Sequence, residues 1–497
     1  MLDHLDRALR SRPERPAVLT ATRTGAPRVR ATRGELAGLA DAFAAALHAR
    51  GLRAGDTVGV AVRPGPRALA VLLALWRLGL RGAVLDPGAG PDVLRARLAL
   101  ARPALVLADA TAQAVAGWAR PLARRAHLAL PDLAGLGPVA TVGPRLPGCA
   151  PALDLGAPRR GVPAPGADLD GDADAVIVFT SGTTSLPRAV VHTRASLAAG
   201  MSTVSTLFDA CGDRPVLGGT FFVLVPSLAR GAAVALPAGD SRVLARQLHR
   251  LRPEDTYLTP PRLRDALGAG ARFHGRVWTG SAPAGAGLLE RVRAAGAAEA
   301  WGVYALTELF PAAAVEAREK SAFEAAGESG DLVGAPLPGV RAEPDGNGQL
   351  LLSGPAARHR YLGEEPDPWV RTGDRARLDG AGRIVLEGRS KDMVLRRAEN
   401  IYPGLYEPAL HVPGVELAVL VGIPAGDGDE RLVAVVQPQR GADERALRAA
   451  LSEPVRRMGT ARPDALLLTR IPLSGRSRKP DRAATAALAA RRLGRAR

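Results

Sequence analysis

Hydrophobic and polar positions alternate between two periods over the first 140 residues. Apolar residues at helical spacing predict one helix over residues 33–49 and another over 68–80. Short apolar runs at 57–62 and 83–85 predict buried strands. Helices that alternate with strands are typical of an α/β fold with parallel strands.

The alternation pauses in a stretch rich in Pro, Gly and Asp at residues 144–172, which predicts a surface loop or linker. It resumes from 173 to about 310, and short β segments separated by turns follow after Gly334. From about residue 390 a smaller α/β pattern follows, with strands predicted at 416–422 and 432–437 and a helical tail from 482.

Length and composition favour a soluble globular protein of more than one domain. The chain has 497 residues, of which 47% are apolar and 23% charged. Two cysteines, Cys149 and Cys211, make a disulfide framework implausible and fit a reducing cytoplasm. The longest apolar run, residues 68–76, is too short to cross a bilayer, and the N-terminus lacks a hydrophobic signal core.

The net charge of +17 raises the alternative of a basic nucleic-acid-binding protein. The arginines are spread along the chain without a long basic run or interleaved aromatic residues, which favours a generally basic surface and no nucleic-acid partner. Lysine is scarce and occurs only at Lys320, Lys391 and Lys479. A lysine in such a chain can mark a site that needs a compact ammonium group.

The first chemical motif follows the predicted strand 175–179. It is rich in small hydroxyl residues and glycine, whose N–H and O–H groups can converge on phosphate oxygens. Its glycine spacing is not that of a Walker A loop. The residues of this motif that we assign to phosphate binding are Thr180, Ser181, Gly182, Thr183, Thr184 and Arg188.

Further motifs follow in a fixed order. They are Thr279-Gly-Ser-Ala-Pro283, Tyr304-Ala-Leu-Thr-Glu308, Trp369-Val-Arg-Thr-Gly-Asp374, Gly388-Arg-Ser-Lys-Asp-Met393, Asn400-Ile-Tyr-Pro403 and the segment from Ile471 to Arg482. Each alone is a common turn or buried segment. Together, in this order, they resemble the acyl-adenylate-forming superfamily, which includes acyl-CoA synthetases, peptide-synthetase adenylation domains and beetle luciferases.

The resemblance implies that the motifs bind ATP and Mg²⁺. The nucleotide-side assignments are Gly280, Ser281, Ala282 and Pro283 beside the adenine, Tyr304 stacked on it, and Asp374 and Arg389 on the ribose. Thr307 would hold the α-phosphate and Glu308 would hold Mg²⁺, a hard cation that prefers oxygen ligands.

The resemblance also implies a large N-terminal domain over 1–389 and a small mobile C-terminal α/β domain over 390–497. The large domain would hold two α/β sheets and a small β-barrel-like subdomain, and Lys391 would be the hinge. The loop containing Ala398, where the family has glycine, would line the path for CoA.

Two registers compete for the catalytic basic residue, which neutralises charge during attack on the α-phosphate. One register places Arg476 there and the other Lys479; we prefer Lys479 because lysine is so scarce in this chain.

The reaction predicted from the resemblance forms acyl-AMP and pyrophosphate, followed by transfer of the acyl group to CoA. The segment 218–226 lacks the acid that peptide-synthetase domains use for an α-ammonium group, and Gly218 and Gly219 would leave room. We therefore expect a hydrophobic acid, whether fatty, alicyclic or polycyclic. Transfer to a carrier protein and β-lactone formation are the alternatives, and a homodimer is compatible with the sequence.

Overall fold

A computed structural model describes most of the chain. The described ranges are residues 2–85, 91–116, 138–158, 160–162, 170–180, 188–208, 214–389, 392–396, 399–426, 429–458, 461–474 and 478–494. Cys149 is buried and free, whereas Cys211 lies outside the described residues.

The helices follow the apolar stripes of the sequence. In chain order they are α1 Leu2–Ser11, α2 Arg33–Ala49, α3 Pro66–Arg77, α4 Pro91–Ala101, α5 Ala110–Ala116, α6 Arg194–Leu207, α7 Phe221–Ala229, α8 Ser241–Leu251, α9 Pro260–Gly268, α10 Ala286–Ala294, α11 Ala317–Ala325, α12 Glu444–Arg457 and α13 Arg482–Gly494. The prediction for residues 33–49 is confirmed at both ends. Its start is fixed by a capping box, in which the Thr32 hydroxyl accepts from the Glu35 amide and the Glu35 carboxylate accepts from the Thr32 amide.

The strands divide between two large sheets and smaller C-terminal sheets. The first fourteen are β1 Pro16–Ala21, β2 Pro27–Thr32, β3 Thr57–Ala61, β4 Arg81–Val84, β5 Leu105–Asp109, β6 Val139–Val142, β7 Asp174–Phe179, β8 Ala189–Thr193, β9 Val216–Leu217, β10 Val234–Ala235, β11 Asp255–Tyr257, β12 Arg276–Thr279, β13 Glu299–Tyr304 and β14 Ala313–Glu316. The others are β15 Asp331–Pro336, β16 Arg341–Pro344, β17 Gln349–Ser353, β18 Arg360–Tyr361, β19 Val370–Leu378, β20 Ile384–Arg389, β21 Val394–Arg396, β22 Glu399–Ile401, β23 Val415–Gly426, β24 Asp429–Pro438, β25 Ala465–Leu468, β26 Leu473–Ser474 and β27 Lys479–Pro480.

The seven-stranded sheet has the order β18-β8-β7-β4-β3-β5-β6. Its strands from β4 to β6 pair in parallel, as the alternating pattern predicts, whereas β7 and β8 form an antiparallel hairpin. The edge strand β18 pairs with β8 although it comes from a distant part of the chain.

The thirteen-stranded sheet has the order β16-β17-β19-β20-β15-β14-β13-β12-β11-β9-β10-β1-β2. Six neighbouring strands of this sheet are parallel, in the order β1, β10, β9, β11, β12 and β13. The strands beyond β13, starting with β14, pair antiparallel. The short β segments predicted after Gly334 are present. They continue the large sheet, because β15 pairs with β14 on one side and β20 on the other.

The largest hydrophobic core joins helices to both sheets. It contains Leu5 of α1, Phe43 of α2, Leu69 of α3 and Leu224 of α7, together with strand residues such as Val58. The buried apolar faces of these helices hold the two sheets against each other by removing apolar surface from water.

The C-terminal region, by which we mean the described residues after Arg389, forms a smaller α/β structure. Its three-stranded sheet has the order β23-β24-β25, with α12 packed on one hydrophobic cluster and α13 on another. Across the described ranges, no helix is long and apolar enough to cross a membrane. The fold class predicted from the sequence is therefore confirmed.

Candidate active site

The carboxyl ends of β12 and β13 form the floor of the candidate site. These strands are parallel neighbours, with Thr279 opposite Gly302. A Cβ atom on Gly280 would lie 2.9 Å from the carbonyl oxygen of Val303, so only glycine fits at this close approach. Ser281 has a left-handed φ of 69°, and its hydroxyl lies 3.1 Å from the Tyr257 hydroxyl. The segment predicted to lie beside the adenine is thus packed directly against the strand that leads to Tyr304.

Asp374 is held between Tyr304 and Arg389. The Tyr304 hydroxyl donates to Oδ2 of Asp374 at 2.6 Å, and Nε of Arg389 donates to Oδ1 at 2.6 Å. The two charged residues face each other because Asp374 and Arg389 are direct partners in the β19–β20 ladder. Burial, the negative charge of Asp374 and the hydrogen bond raise the pKa of Tyr304 well above its usual range, so the phenol is a neutral donor.

These contacts leave acceptor capacity for a ribose. An ionised carboxylate offers about four lone-pair sites, and two of those on Asp374 are used by Tyr304 and Arg389. Asp374 is 4% exposed, and the bonds of its two carboxylate oxygens to Tyr304 and Arg389 hold the side chain in one orientation. Tyr304, Asp374 and Arg389, three of the residues assigned to the nucleoside from the sequence, are therefore brought together.

The segment of Thr307 and Glu308 is fixed from two sides. Nε2 of His192 donates to the Thr307 carbonyl oxygen at 2.8 Å, and the Arg358 amide donates to the Glu308 carbonyl oxygen at 2.6 Å. The Tyr361 hydroxyl donates to Oε1 of Glu308 at 2.9 Å. Both candidate catalytic residues consequently lie beside β8, the strand that leaves the phosphate motif.

His192 is a buried neutral imidazole. Its side chain is almost inaccessible, and burial lowers its pKa to about 4 against the opposing effect of the bond to Thr307. Because a carbonyl oxygen only accepts, Nε2 carries the proton and Nδ1 is left facing the Ser196 hydroxyl at 3.4 Å. Ser196 belongs to a capping box with Thr193 that starts α6 immediately after β8.

The phosphate motif connects β7 to β8. At its base the Thr180 amide donates to the Arg188 carbonyl oxygen at 3.0 Å. The Arg188 guanidinium lies 3.9 Å from the centre of the Tyr361 ring and reaches Glu364 at 3.3 Å, with more than half of its side chain exposed. The assigned residues Ser181, Gly182, Thr183 and Thr184 lie outside the described residues. Arg188, whose carbonyl oxygen accepts from the Thr180 amide, therefore lies beside Glu308 through their shared neighbour Tyr361.

The C-terminal region contacts α9 and α10. Glu416 accepts from Arg264 at 3.2 Å and lies 3.7 Å from Arg291, and Arg478 reaches Asp265 at 2.9 Å. Lys479, the first residue of β27, is exposed and directly follows Arg478. The predicted hinge Lys391, the loop residue Ala398 and the competing Arg476 lie outside the described residues, so their roles stay predictions, as does the domain boundary at residue 389.

Arg482 ties the segment after the predicted hinge to the segment that follows Lys479. Its guanidinium pairs with Asp392 at 3.0 Å and with both carboxylate oxygens of Glu407 at 2.7 Å. Arg482, three residues after Lys479, therefore ties this end of the chain to Asp392 and Glu407.

The segment 218–226 gives the site an apolar side. Phe222 of α7 packs on Phe310, with ring centres 3.8 Å apart, and Phe310 in turn meets His192 edge-on. The expectation that Gly218 leaves room is wrong, because a Cβ there would lie 2.9 Å from a methyl of Val223. At Gly219 the nearest contact is an ordinary 3.6 Å to Pro237.

Basic side chains are concentrated on α8, a feature that was not predicted from the sequence. Arg242, Arg246, His249 and Arg250 line a cavity of about 570 Å³ with Arg272. The helical spacing of these α8 residues and the return of the chain at Arg272 bring them together. The candidate site does not use them.

The possible metal ligands of the site fit an Mg²⁺ ion that is bound together with a nucleotide. In the described ranges, no group of three or more His, Cys, Asp or Glu side chains could hold a metal by itself. Glu308 supplies one carboxylate beside the phosphate motif, and Mg²⁺ commonly takes one or two carboxylates together with substrate phosphates and water.

His192, Tyr361 and Arg358 were not predicted from the sequence. A single histidine in the apolar run 189–193, directly after the phosphate motif, was the available signal for His192. No local signal marked Tyr361, because its importance arises from pairing between β18 and β8.

Comparison with known proteins shows the family of this chain. The family model described as AMP-binding enzyme matches residues 5–361. Feruloyl-CoA synthase of an Amycolatopsis species is 29% identical over 85% of this chain and 86% of its own length. The olefin β-lactone synthetase of Xanthomonas campestris pv. campestris is 27% identical over 92% of this chain and 90% of its own.

A solved amide bond synthetase from Marinactinospora thermotolerans has the same fold, with a TM-score of 0.76, 22% identity and coverage of 98% of this chain and 99% of that chain. The family match spans most of the chain, including the phosphate motif, Tyr304 and Glu308. The chain therefore belongs to the AMP-binding enzyme family and is an adenylate-forming ligase.

Proposed function

We propose that this ligase activates a hydrophobic carboxylic acid with ATP and transfers the acyl group to CoA. The observation that carries the proposal is the convergence of the Tyr304–Asp374–Arg389 cluster and the Glu308–Tyr361–Arg188 cluster on the segment 304–308. One cluster suits a nucleoside and the other suits its phosphates. Two anionic substrates must meet between them, so positioning and charge neutralisation supply most of the catalysis.

In the first half-reaction, a carboxylate oxygen of the acid attacks the α-phosphorus of ATP. The bond from the α-phosphorus to the bridging oxygen breaks, and pyrophosphate leaves with the electron pair. Asp374 and Arg389 orient the ribose, and Tyr304 lies against the adenine. Bound at Glu308, Mg²⁺ would neutralise charge on the phosphates. Thr307 donates to the α-phosphate, and Lys479 neutralises charge between the carboxylate and phosphate oxygens.

In the second half-reaction, a CoA thiolate attacks the acyl carbonyl carbon, and AMP leaves. We propose that rotation at Lys391 withdraws Lys479 and presents the loop of Ala398. Arg482 supports this step, because its pairs with Asp392 and Glu407 make the hinge-side chain and the lysine segment move together.

The apolar contact of Phe222 with Phe310 supports a hydrophobic acid, as does the lack of an acidic residue in 218–226. Relatives that act as a feruloyl-CoA synthase and an olefin β-lactone synthetase differ in the acyl acceptor. CoA is our choice, and a carrier protein or an internal hydroxyl is the alternative.

The test is pyrophosphate release across a library of carboxylic acids, with and without CoA. We expect turnover of fatty, alicyclic or polycyclic acids and CoA-dependent release of AMP. Turnover of only short polar or amino acids would refute the substrate class. AMP release without CoA would refute the acceptor while leaving adenylation intact.

Lys479→Ala should abolish acid-dependent exchange of ATP with pyrophosphate and leave thioester formation from supplied acyl-AMP largely intact. Arg470→Ala, at an exposed basic position in the same region, is the matched control and should retain exchange. If exchange survives in Lys479→Ala but is lost in Arg476→Ala, the other register is correct.

A further inference from the structure

Tyr361 contacts both charged flanks of the phosphate side of the site. It lies on β18, opposite Val190 of β8, and its side chain is 8% exposed. Its hydroxyl reaches Oε1 of Glu308 at 2.9 Å, while the Arg188 guanidinium lies 3.9 Å from its ring centre. A single side chain therefore touches an anion and a cation that belong to separate segments.

The direction of the hydroxyl bond is fixed by chemistry. An ionised carboxylate only accepts, so the Tyr361 O–H donates to Glu308.

The ring is held as firmly as the hydroxyl. The Arg358 guanidinium lies 4.6 Å from the same ring centre, and the Arg358 amide donates to the Glu308 carbonyl oxygen. Main-chain bonds of the neighbouring residues His359 and Leu362 to β8 fix the strand on which Tyr361 lies. Guanidinium groups near an aromatic face are attracted by its quadrupole, which restrains Arg188 as well.

We propose that Tyr361 is a positioning residue that orients the Glu308 carboxylate for Mg²⁺–ATP and couples it to Arg188. The proposal rests on the proposed function, in which Glu308 binds the metal. The hydroxyl engages Oε1 and restrains the carboxylate, which would leave Oε2 of Glu308 to hold the metal. Hydrogen-bond partners behind a metal ligand commonly change metal affinity tenfold to a hundredfold when removed.

The test compares Tyr361→Phe with Glu308→Gln in the full chain. Tyr361→Phe keeps the ring that packs with Arg188 and Arg358 and removes only the hydroxyl. Binding of Mn²⁺–ATP is followed by electron paramagnetic resonance, binding of metal-free AMP by calorimetry, and ATP–pyrophosphate exchange as a function of Mg²⁺ concentration. Tyr406→Phe, in the hydrophobic cluster of the C-terminal region, is the control.

We expect Tyr361→Phe to weaken Mn²⁺–ATP binding about tenfold and to raise the Mg²⁺ concentration for half-maximal exchange by a similar factor. The AMP affinity of Tyr361→Phe and its KM for the acid should stay within about twofold of wild type. For the control Tyr406→Phe, metal–nucleotide binding, AMP binding and exchange should all stay within the same twofold range. Glu308→Gln should show a larger loss with the same pattern.

The outcomes separate the two levels of the proposal. If Glu308→Gln weakens metal binding but Tyr361→Phe does not, the positioning role is wrong and the proposed function stands. If neither variant changes metal dependence, the assigned role of Glu308 fails, and the inference fails with it. Loss of the near-ultraviolet circular dichroism of Tyr361→Phe would also overturn the inference, because the hydroxyl would then be needed for folding.

Discussion

Burial of His192 should make the stability of the site region depend on pH below neutrality. The imidazole is neutral in the folded chain, with its pKa lowered from 6.5 to about 4 by burial, whereas in the unfolded chain it takes up a proton near pH 6.5. Its stabilising contribution is therefore fully present above pH 6.5 and is lost as the pH falls from 6.5 through 4. The difference between these pKa values corresponds to about 3 kcal/mol.

His192→Gln isolates this contribution. Glutamine can still donate to the Thr307 carbonyl oxygen but cannot take up a proton. Between pH 6.5 and pH 4, the free energy of unfolding of the variant should therefore fall by about 3 kcal/mol less than that of wild type. The assay is urea unfolding followed by near-ultraviolet circular dichroism at several pH values from 4 to about 7.5. His249→Gln, at an exposed position on α8, should give a curve parallel to wild type.

If the free energies of unfolding of wild type and His192→Gln differ by the same amount at all pH values, the reasoning is refuted. A direct check uses the ¹³C-labelled imidazole carbons of the eight histidines followed by NMR. The resonance that disappears in His192→Gln should remain that of a neutral ring at pH 5.5. A ring that titrates near 6.5 would mean that solvent reaches His192.

Two further predictions concern close packing and the contact between regions. Gly280→Ala places a methyl 2.9 Å from the Val303 carbonyl oxygen. We therefore expect the free energy of unfolding to fall by about 1–3 kcal/mol and AMP binding, measured by calorimetry, to weaken. The control Gly287→Ala, which has open space around it, should be neutral or slightly stabilising. Glu416→Gln leaves the mostly buried Arg264 without its carboxylate, so the contact of the C-terminal region with α9 should weaken by about 2 kcal/mol. Limited proteolysis near residue 390 should accelerate; an unchanged cleavage rate would contradict this role for Glu416.

Local patterns predicted the elements whose stabilisation is itself local. The helix 33–49 was predicted at both ends from its apolar spacing alone, and the structure adds the cap at Thr32 directly before it. Similarly, the strand predicted at 57–62 is observed at Thr57–Ala61. The two-residue strand β18 was not predicted, because its existence depends on the distant edge of β8 rather than on any run of its own.

The candidate site divides in the same way. Resemblance selected Tyr304, Asp374 and Arg389, but not the bonds among them, which require the register of β19 on β20. The error at Gly218 has a similar origin, because the space beside a glycine is decided by which side chain faces it, here Val223. The choice between Lys479 and Arg476 stays a prediction, because composition alone supports it.

The pairing of β18 with β8 has a consequence for any attempt to divide the chain. Residues 360 and 361 complete the sheet that begins with β3, while β1 and β2 belong to the other sheet beside β10. Each sheet therefore borrows strands from both halves of the polypeptide. A fragment that stops before Arg360 would expose the bare edge of β8 next to the phosphate motif, so split-protein halves cut there should be inactive apart and should recover activity only after reassociation.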